Sequence, residues 1–220
     1  THRAMNRFRQ FARKVSKNHT RTCWVLKCDI KKFFASIDQC IINDLVGRYI
    51  PDTCIRALLA EVVGSFHSTT LGKGLPLGNL TSQLLVNVYM NKFDQFVKHR
   101  LGARYYIRYA DDFVILSHDR ECLLSRYRLT DIFLREHLKL SLHPDKVSIR
   151  TITSGVDFLG WVHFPDHRVL RTATKRRMLR RIAETKDKAV VDSYLGLLSH
   201  GNTRKLRDMV SMLESHHEGS

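Results

Sequence analysis

The chain has 220 residues, and its hydrophobic content of 43% allows a packed core and argues against wholesale disorder. Lysine and arginine number 37 against 21 acidic residues, and the net charge of +16 favours a polyanionic partner such as nucleic acid. No apolar run approaches the roughly 20 residues of a membrane-spanning helix, and the five cysteines include no CxxC pair that would indicate a zinc site.

The first third of the chain predicts a basic helix, one strand and two further helices. Residues 1–18 carry apolar side chains at helical spacing, and residues 22–30 form an apolar strand that ends near Asp29. Further helices are expected over residues 38–49 and 51–63, where apolar residues recur every three or four positions. An acid at a strand end can be a simple surface residue, so Asp29 indicates a site only together with partners elsewhere.

Residues 71–79, with the sequence LGKGLPLGN, predict a loop because glycine and proline disfavour regular structure. A long helix is expected to follow from Thr81, with apolar residues as far as Val97. Free backbone N–H groups and the helix dipole at its start favour a phosphate group. An ordinary capped helix after a turn is the alternative.

Residues 105–116, with the sequence YYIRYADDFVIL, predict a β-hairpin whose tip is Ala110, Asp111 and Asp112. Adjacent carboxylates repel each other, and a hard divalent cation would relieve that repulsion. A solvated Asp-Asp turn is the alternative. If the strand ending near Asp29 is a neighbour in the same sheet, three carboxylates can converge and hold two metal ions for nucleotidyl transfer.

The second half of the chain predicts a helix over residues 121–138 and a strand over residues 146–149. From Arg168 the sequence becomes strongly basic over a stretch with helical character. Such a run is usually a solvated face. After a nucleotidyl-transfer site, however, it favours a track for nucleic acid.

The sequence YADD in a hairpin, preceded by an aspartate-ending strand and a Phe-Phe pair, resembles the palm of reverse transcriptases. The resemblance continues in the same order through three further blocks, GLPLGNLTSQ (74–83), LSLHPDKV (140–147) and GVDFLGW (155–161). SYLGLLSHGNTRKL (193–206) is similar to the thumb of bacterial, retron-like enzymes, and Leu77-Gly78 with Ser82-Gln83 resembles enzymes of diversity-generating retroelements.

The resemblance implies an α+β fold, in which a right-hand polymerase palm of antiparallel sheet and helices precedes a helical thumb. Residues 1–21 would be a remnant of the fingers or a connecting helix, residues 22–164 the palm and residues 165–220 the thumb. Most of the fingers would be missing from this chain.

The resemblance also implies an RNA-directed DNA polymerase that extends a primer 3′-hydroxyl by two-metal-ion catalysis. Asp29, Asp111 and Asp112, with the carbonyl of Ile30, would bind two Mg²⁺ ions, for which Mn²⁺ is an alternative. Lys146 would protonate the departing pyrophosphate. An ordinary surface lysine is the alternative for that residue.

Other blocks of the resemblance imply contacts with substrates. The nucleotide-binding residues would be Phe34, Leu77, Gly78 and Gln83, with Phe34 excluding a 2′-hydroxyl unless it is a core aromatic. The nucleic-acid-binding residues would be Phe158, Leu159, Gly160, Lys175, Arg176 and Arg180.

The expected partners are an RNA template, a DNA or RNA primer and deoxynucleoside triphosphates. An accessory protein is a possible further partner, and no association with a membrane is expected. Reduced cysteines favour a cytoplasmic location. Position 77 is leucine, which cannot form the hydrogen bond to an incoming nucleotide that glutamine could form, so error-prone copying is a possible property. Two alternatives remain: a catalytically impaired, polymerase-like nucleic-acid-binding module, and an RNA-templated RNA polymerase, which Phe34 disfavours.

Overall fold

A computed structural model describes residues 2–76, 78–184 and 187–218, except for the side chains of residues 213–218. The α-helices are α1 (His2–Val15), α2 (Phe33–Ser36), α3 (Gln39–Tyr49), α4 (Thr53–Gly64), α5 (Leu80–Gln95), α6 (Arg120–Leu138), α7 (Thr172–Glu184), α8 (Lys188–Leu198) and α9 (Arg204–Glu218). The strands are β1 (Trp24–Asp29), β2 (Tyr106–Tyr109), β3 (Asp112–Ser117), β4 (Ser148–Thr151), β5 (Val156–Phe158), β6 (Trp161–His163) and β7 (Arg168–Leu170). Antiparallel sheets combined with helices confirm the predicted α+β class.

Short polar side chains set the starts of several helices. The side chain at each of these positions accepts a hydrogen bond from a backbone N–H of the first turn, a contact that stabilises a helix by about 1 kcal/mol. The caps precede α3, α4, α5, α6 and α8, and they are Asp38, Asp52, Asn79, Asp119 and Asp187.

The chain divides into two compact units, and residues 24–149 form one of them. The four-stranded sheet has the order β2-β3-β1-β4, and β1 pairs antiparallel with β3. Side chains alternate across a strand, so Leu26 and Cys28 of β1 face the hydrophobic core together with their partners Ile115 and Phe113 of β3. The buried aromatic Phe93 of α5 packs edge-on against Phe113, with ring centroids 5.1 Å apart.

The other unit combines the N-terminal segment up to Cys23 with the chain from Arg150 onward. Its three-stranded sheet has the order β5-β6-β7. Met5 of α1 and Trp161 of β6 share a hydrophobic cluster with Met178 and Ile182 of α7. This packing explains why the compact units differ from the predicted boundaries at residues 21 and 164, and the names palm and thumb for those stretches stay predictions.

Several predicted elements need correction. Asp112 is the first residue of β3 rather than part of the hairpin tip, since it pairs with Tyr109. Lys146 ends a 3₁₀ turn instead of starting a strand, and Arg168 belongs to β7, so that the basic helix begins at Thr172. A π-helical turn over Phe96–Arg100 follows α5, which the sequence pattern did not indicate. Within the described ranges, no helix has the length and apolar character needed to cross a membrane.

Two glycines of the unit that contains both chain ends provide a matched pair of substitutions. A Cβ at Gly201 would lie 2.0 Å from Cζ3 of the buried Trp161, whereas a Cβ at Gly196, inside α8, would meet nothing within 4 Å. We expect Gly201→Ala to lower the free energy of unfolding by about 1–3 kcal/mol through overpacking. Gly196→Ala should raise it by about 0.5–1 kcal/mol, because alanine loses less backbone entropy in a helix. Urea unfolding of both variants measures the difference, and effects of the same sign would contradict this packing.

Candidate active site

The register between β1 and β3 brings two of the predicted acids together. Asp29 at the end of β1 lies directly opposite Asp112 at the start of β3. The backbone N–H of Ile30 donates to the carbonyl oxygen of Asp111 over 3.2 Å, so the pairing continues one residue beyond the strands. The three aspartates therefore lie at the same end of a single antiparallel sheet.

The hairpin turn beside these acids has a strained backbone, and a side-chain hydrogen bond holds it in place. Tyr109 pairs with Asp112, which leaves Ala110 and Asp111 as the two turn residues. Ala110 has a φ of 53°, in the left-handed region that costs a residue with a Cβ roughly 1–2 kcal/mol. Its carbonyl oxygen accepts a hydrogen bond of 3.1 Å from Nη1 of Arg108, which opposes rotation of this peptide.

Arg108 is itself fixed by a buried ion pair with Asp94 of α5. Its Nε and Nη2 donate to the two carboxylate oxygens of Asp94 over 2.9 and 2.8 Å, and Tyr106 Oη donates to the same carboxylate over 2.6 Å. The side chain of Arg108 is only 8% exposed. Sequence reasoning missed this network, although a charged residue inside the apolar strand YIRY is a signal that it has a partner.

Two lysines lie against the acids. Nζ of Lys146 is 3.2 Å from both carboxylate oxygens of Asp29, and Nζ of Lys27 is 3.6 Å from Oδ2 of Asp112. Sequence reasoning did not find Lys27, yet its position two residues before Asp29 puts both side chains on the same face of β1.

Burial and mutual repulsion act on the acid pair of the hairpin. The pKa of the Asp112 carboxyl is raised to about 7, chiefly by burial and also by repulsion from Asp29 and Asp111, while Lys27 acts in the opposite direction. Burial is also the main cause that raises the pKa of Asp111 above its usual range. Oδ1 of Asp112 is buried and has no hydrogen-bond partner among the described residues. Ionised carboxylates are therefore costly here unless a cation contacts them.

The carboxylates of Asp29, Asp111 and Asp112 suit a hard divalent cation, which prefers oxygen ligands. One of their oxygens, Oδ1 of Asp112, has no hydrogen-bond partner among the described residues. In the described part of the chain, no three His, Cys, Asp or Glu side chains are arranged as a ready metal cluster. The ammonium groups of Lys146 and Lys27 supply positive charge to Asp29 and Asp112 instead. Both lysines would have to give way for these carboxylates to bind metal.

A sequence profile of the family described as "Reverse transcriptase (RNA-dependent DNA polymerase)" matches residues 2–163, well over half of the chain. The chain belongs to the reverse transcriptase family. Protein YkfC of Escherichia coli K12 is 26% identical to this chain over an aligned length of 219 residues, covering 81% of the chain and 56% of YkfC. The putative COX1/OXI3 intron 2 protein of Saccharomyces cerevisiae is 24% identical over 212 residues, covering 66% of the chain and 24% of that protein.

Solved structures with a similar fold include telomerases. Telomerase from Candida tropicalis, in complex with a TWJ fragment of telomeric RNA, has a TM-score of 0.61 at 10% identity, covering 97% of this chain and 41% of its own. The corresponding Candida albicans complex has a TM-score of 0.58 at 10% identity, covering 94% and 43%. This likeness confirms the predicted right-hand polymerase fold. The chain spans about half the length of YkfC and about a quarter of the intron protein.

The predicted nucleotide-binding residues differ in exposure. Phe33 is buried in the core, while Phe34 is half-buried with its ring centroid 5.6 Å from that of Phe33. Gly78 has a φ of 81°, which favours glycine, and a Cβ there would meet nothing within 4 Å. Gln83 is exposed on the first turn of α5, and Leu77 lies outside the described residues.

The predicted nucleic-acid-binding residues all lie in the unit that contains α7. Phe158 pairs with Trp161, so Leu159 and Gly160 form a two-residue turn, with φ values of 54° and 82°. These residues therefore form a tight hairpin between β5 and β6. Along α7, Arg176 and Arg180 are exposed and Lys175 is half-buried, while Met178 and Ile182 face the core.

The raised pKa of Asp112 predicts a pH-dependent gain of stability in the variant Asp112→Asn. Between pH 4 and 7 the folded carboxyl holds a proton that the unfolded chain has released, so the stability of the wild type falls as the pH rises through this window. Asparagine imitates the protonated form, and the variant should gain up to roughly 4 kcal/mol at pH 8 but less than half as much at pH 5, where only part of the window between the two pKa values has been crossed.

Urea unfolding at both pH values, with chelator present, measures this gain. Asp44→Asn, an exposed position on α3, is the control and should change neither value. Equal gains for Asp112→Asn at pH 5 and pH 8 would contradict a buried, destabilised carboxylate.

Proposed function

We propose that this chain catalyses RNA-directed DNA synthesis, adding deoxynucleotides to a primer 3′-hydroxyl opposite a template. The observation that supports this most strongly is the pairing of Asp29 with Asp112, with Asp111 beside them in a turn held by Arg108. Membership of the reverse transcriptase family supports the same chemistry. The substrates would be an RNA template, a DNA or RNA primer and deoxynucleoside triphosphates.

The carboxylates of Asp29, Asp111 and Asp112, with the carbonyl oxygen of Ile30, would hold two Mg²⁺ ions, or Mn²⁺ in their place. When bound, such ions lower the pKa of the attacking hydroxyl and stabilise the leaving pyrophosphate. The unpartnered Oδ1 of Asp112 and the cost of ionising this buried carboxyl support the assignment. Arg108 would keep Asp111 in place through the Ala110 carbonyl.

Lys146 would act as the acid that protonates pyrophosphate. Its ammonium lies 3.2 Å from both oxygens of Asp29, within reach of the same group of acids, and its side chain is half exposed. A lysine that leaves Asp29 when that carboxylate binds metal would be free to donate its proton to the leaving group. Binding of metal and release of the proton donor would therefore be linked.

Phe34 would discriminate between the sugars of the incoming nucleotides. Phe33 fills the core position, so the neighbouring half-buried ring of Phe34 can contact a ligand. A ring at the sugar would exclude a 2′-hydroxyl by steric conflict. Gly78 and Gln83 would lie along the nucleotide and template, with Gly78 allowing close approach of nucleic acid to the backbone.

The basic side of α7, formed by the exposed Arg176 and Arg180 with the half-buried Lys175, would contact the phosphates of the nucleic acid. Phosphate contacts of this type position a strand without reading its sequence. Phe158, Leu159 and Gly160 would hold the primer end through their tight hairpin. Cytoplasmic location, an accessory protein and error-prone copying through Leu77 remain predictions of the sequence.

A catalytically impaired nucleic-acid-binding module is the second candidate. Two observations favour it. Lys146 and Lys27 form ion pairs with Asp29 and Asp112, and no group of three metal-binding side chains is preformed among the described residues. The two functions differ in whether Mg²⁺ supports primer extension.

Asp111→Asn should reduce primer extension by roughly a hundredfold or more, because a neutral amide is a poor ligand for Mg²⁺. Extension of a labelled primer on RNA and DNA templates measures this loss, while circular dichroism and urea unfolding show that the variant is folded. The control Asp44→Asn removes one exposed acid from α3 and should retain full activity. Equal extension by Asp111→Asn and wild type would rule out the proposed site, and no extension by the wild type would favour the binding module.

Phe34→Ala should allow incorporation of ribonucleoside triphosphates with little loss of stability, since the side chain is only half-buried. Single-nucleotide extension with deoxy- and ribonucleotides measures the ratio of the two efficiencies. Phe33→Ala is the matched control: it should cost about 3–5 kcal/mol of stability, as a buried aromatic, and leave the ratio unchanged. An unchanged ratio in Phe34→Ala would show that this ring does not contact the sugar.

A further inference from the structure

A polar cavity of about 430 Å³ lies within the unit formed by the two chain ends. Residues from three segments line it: α1, the stretch from the end of β6 to the start of β7, and the turn after α8. A volume of this size accommodates a small ligand of nucleotide dimensions. None of the residues assigned above to nucleotide or nucleic-acid binding belongs to the lining.

Arg168 of β7 is held rigidly in this lining. Its Nε donates to the backbone carbonyl of His200, and its Nη2 donates to Oδ1 of Asn6 over 3.3 Å. The guanidinium carbon lies 5.7 Å from the ring centroid of Trp161. The remaining nitrogen, Nη1, is shielded from solvent and has no hydrogen-bond partner in the described part of the chain. An arginine fixed on two sides with one vacant donor suits an anionic ligand.

The cavity has an excess of positive charge. Arg9 of α1 lines the same cavity, and its charge adds to the effect of burial in lowering the pKa of Arg168. His200 also lies beside Arg168, and burial together with its basic neighbours lowers its pKa. The acid in the lining, Asp166, is 81% exposed, and its carboxylate lies 3.7 Å from Nε2 of His19. Among the described residues, no carboxylate therefore pairs with Arg168.

We propose that this cavity binds a phosphate group of a nucleic-acid strand. The guanidinium groups of Arg168 and Arg9 would contact the phosphate oxygens, because guanidinium groups match phosphate in geometry and charge. The rings of Phe164 and His167 stack in the lining, with centroids 4.9 Å apart and planes inclined by 12°, and offer a flat surface to the adjoining sugar or base. The identity of the ligand as nucleic acid rests on the proposed function.

Arg9→Gln tests the proposal with little risk to the fold, because Arg9 is exposed. Arg3→Gln is the matched control: it removes the same charge from an exposed position of α1 that does not line the cavity. Fluorescence anisotropy with a labelled RNA–DNA primer–template duplex measures affinity over a range of salt concentrations. We expect Arg9→Gln to weaken binding roughly tenfold at low salt and to reduce the slope of log affinity against log salt by about one. Arg3→Gln should change affinity much less.

Arg168→Gln, tested where urea unfolding shows the variant to be folded, should weaken binding at least as much as Arg9→Gln. Inorganic phosphate is the probe for a free anion. If phosphate protects the wild type from unfolding through Arg9 while duplex affinity does not depend on Arg9, the cavity serves a free anion and the proposal is wrong. Equal affinity of the Arg9→Gln and Arg3→Gln variants for the duplex would also overturn it. Failure of the wild type to bind any duplex would instead refute the proposed polymerase function.

Discussion

The antiparallel pairing of β1 with β3 is the constraint on which the site depends. It places Asp29 opposite Asp112, an arrangement that two carboxylates would not adopt on their own because like charges opposite each other destabilise a sheet. The apolar residues of the same strands outweigh that cost. Leu26 and Cys28 enter the core with Ile115 and Phe113, and a slip by one residue would move these side chains to the opposite face. Core packing therefore fixes the separation of the acids.

A second set of interactions, in the turn of the hairpin, fixes the position of Asp111. Ala110 adopts a left-handed conformation, and Arg108, which is itself paired with Asp94, donates a hydrogen bond to its carbonyl oxygen. A buried ion pair contributes little net stability, yet it is costly to break once formed. This pair therefore gives the turn a defined position more than it stabilises the fold. Strained backbone next to functional acids is typical of sites whose geometry is imposed by the surrounding structure.

The sequence predicted the acids and the strands that carry them, because alternation of apolar residues and adjacent aspartates are local signals. It did not predict the partners of those acids. Lys27, Arg108 and Asp94 come together only through strand pairing and the packing of α5, and contacts of this kind leave no periodic pattern. The same reason explains why the compact units do not divide at residue 164. Helix α1 packs with Trp161 and the C-terminal helices, although it is distant from them in sequence.

Diffraction from the protein bound to a primer–template duplex and Mn²⁺, recorded at the manganese absorption edge, would show directly whether these acids bind metal. We expect anomalous peaks within coordination distance of the carboxylates of Asp29 and Asp111. We also expect the ammonium of Lys146 to have moved away from Asp29. Manganese bound elsewhere, or acids still paired with Lys27 and Lys146 in the presence of duplex and metal, would contradict it.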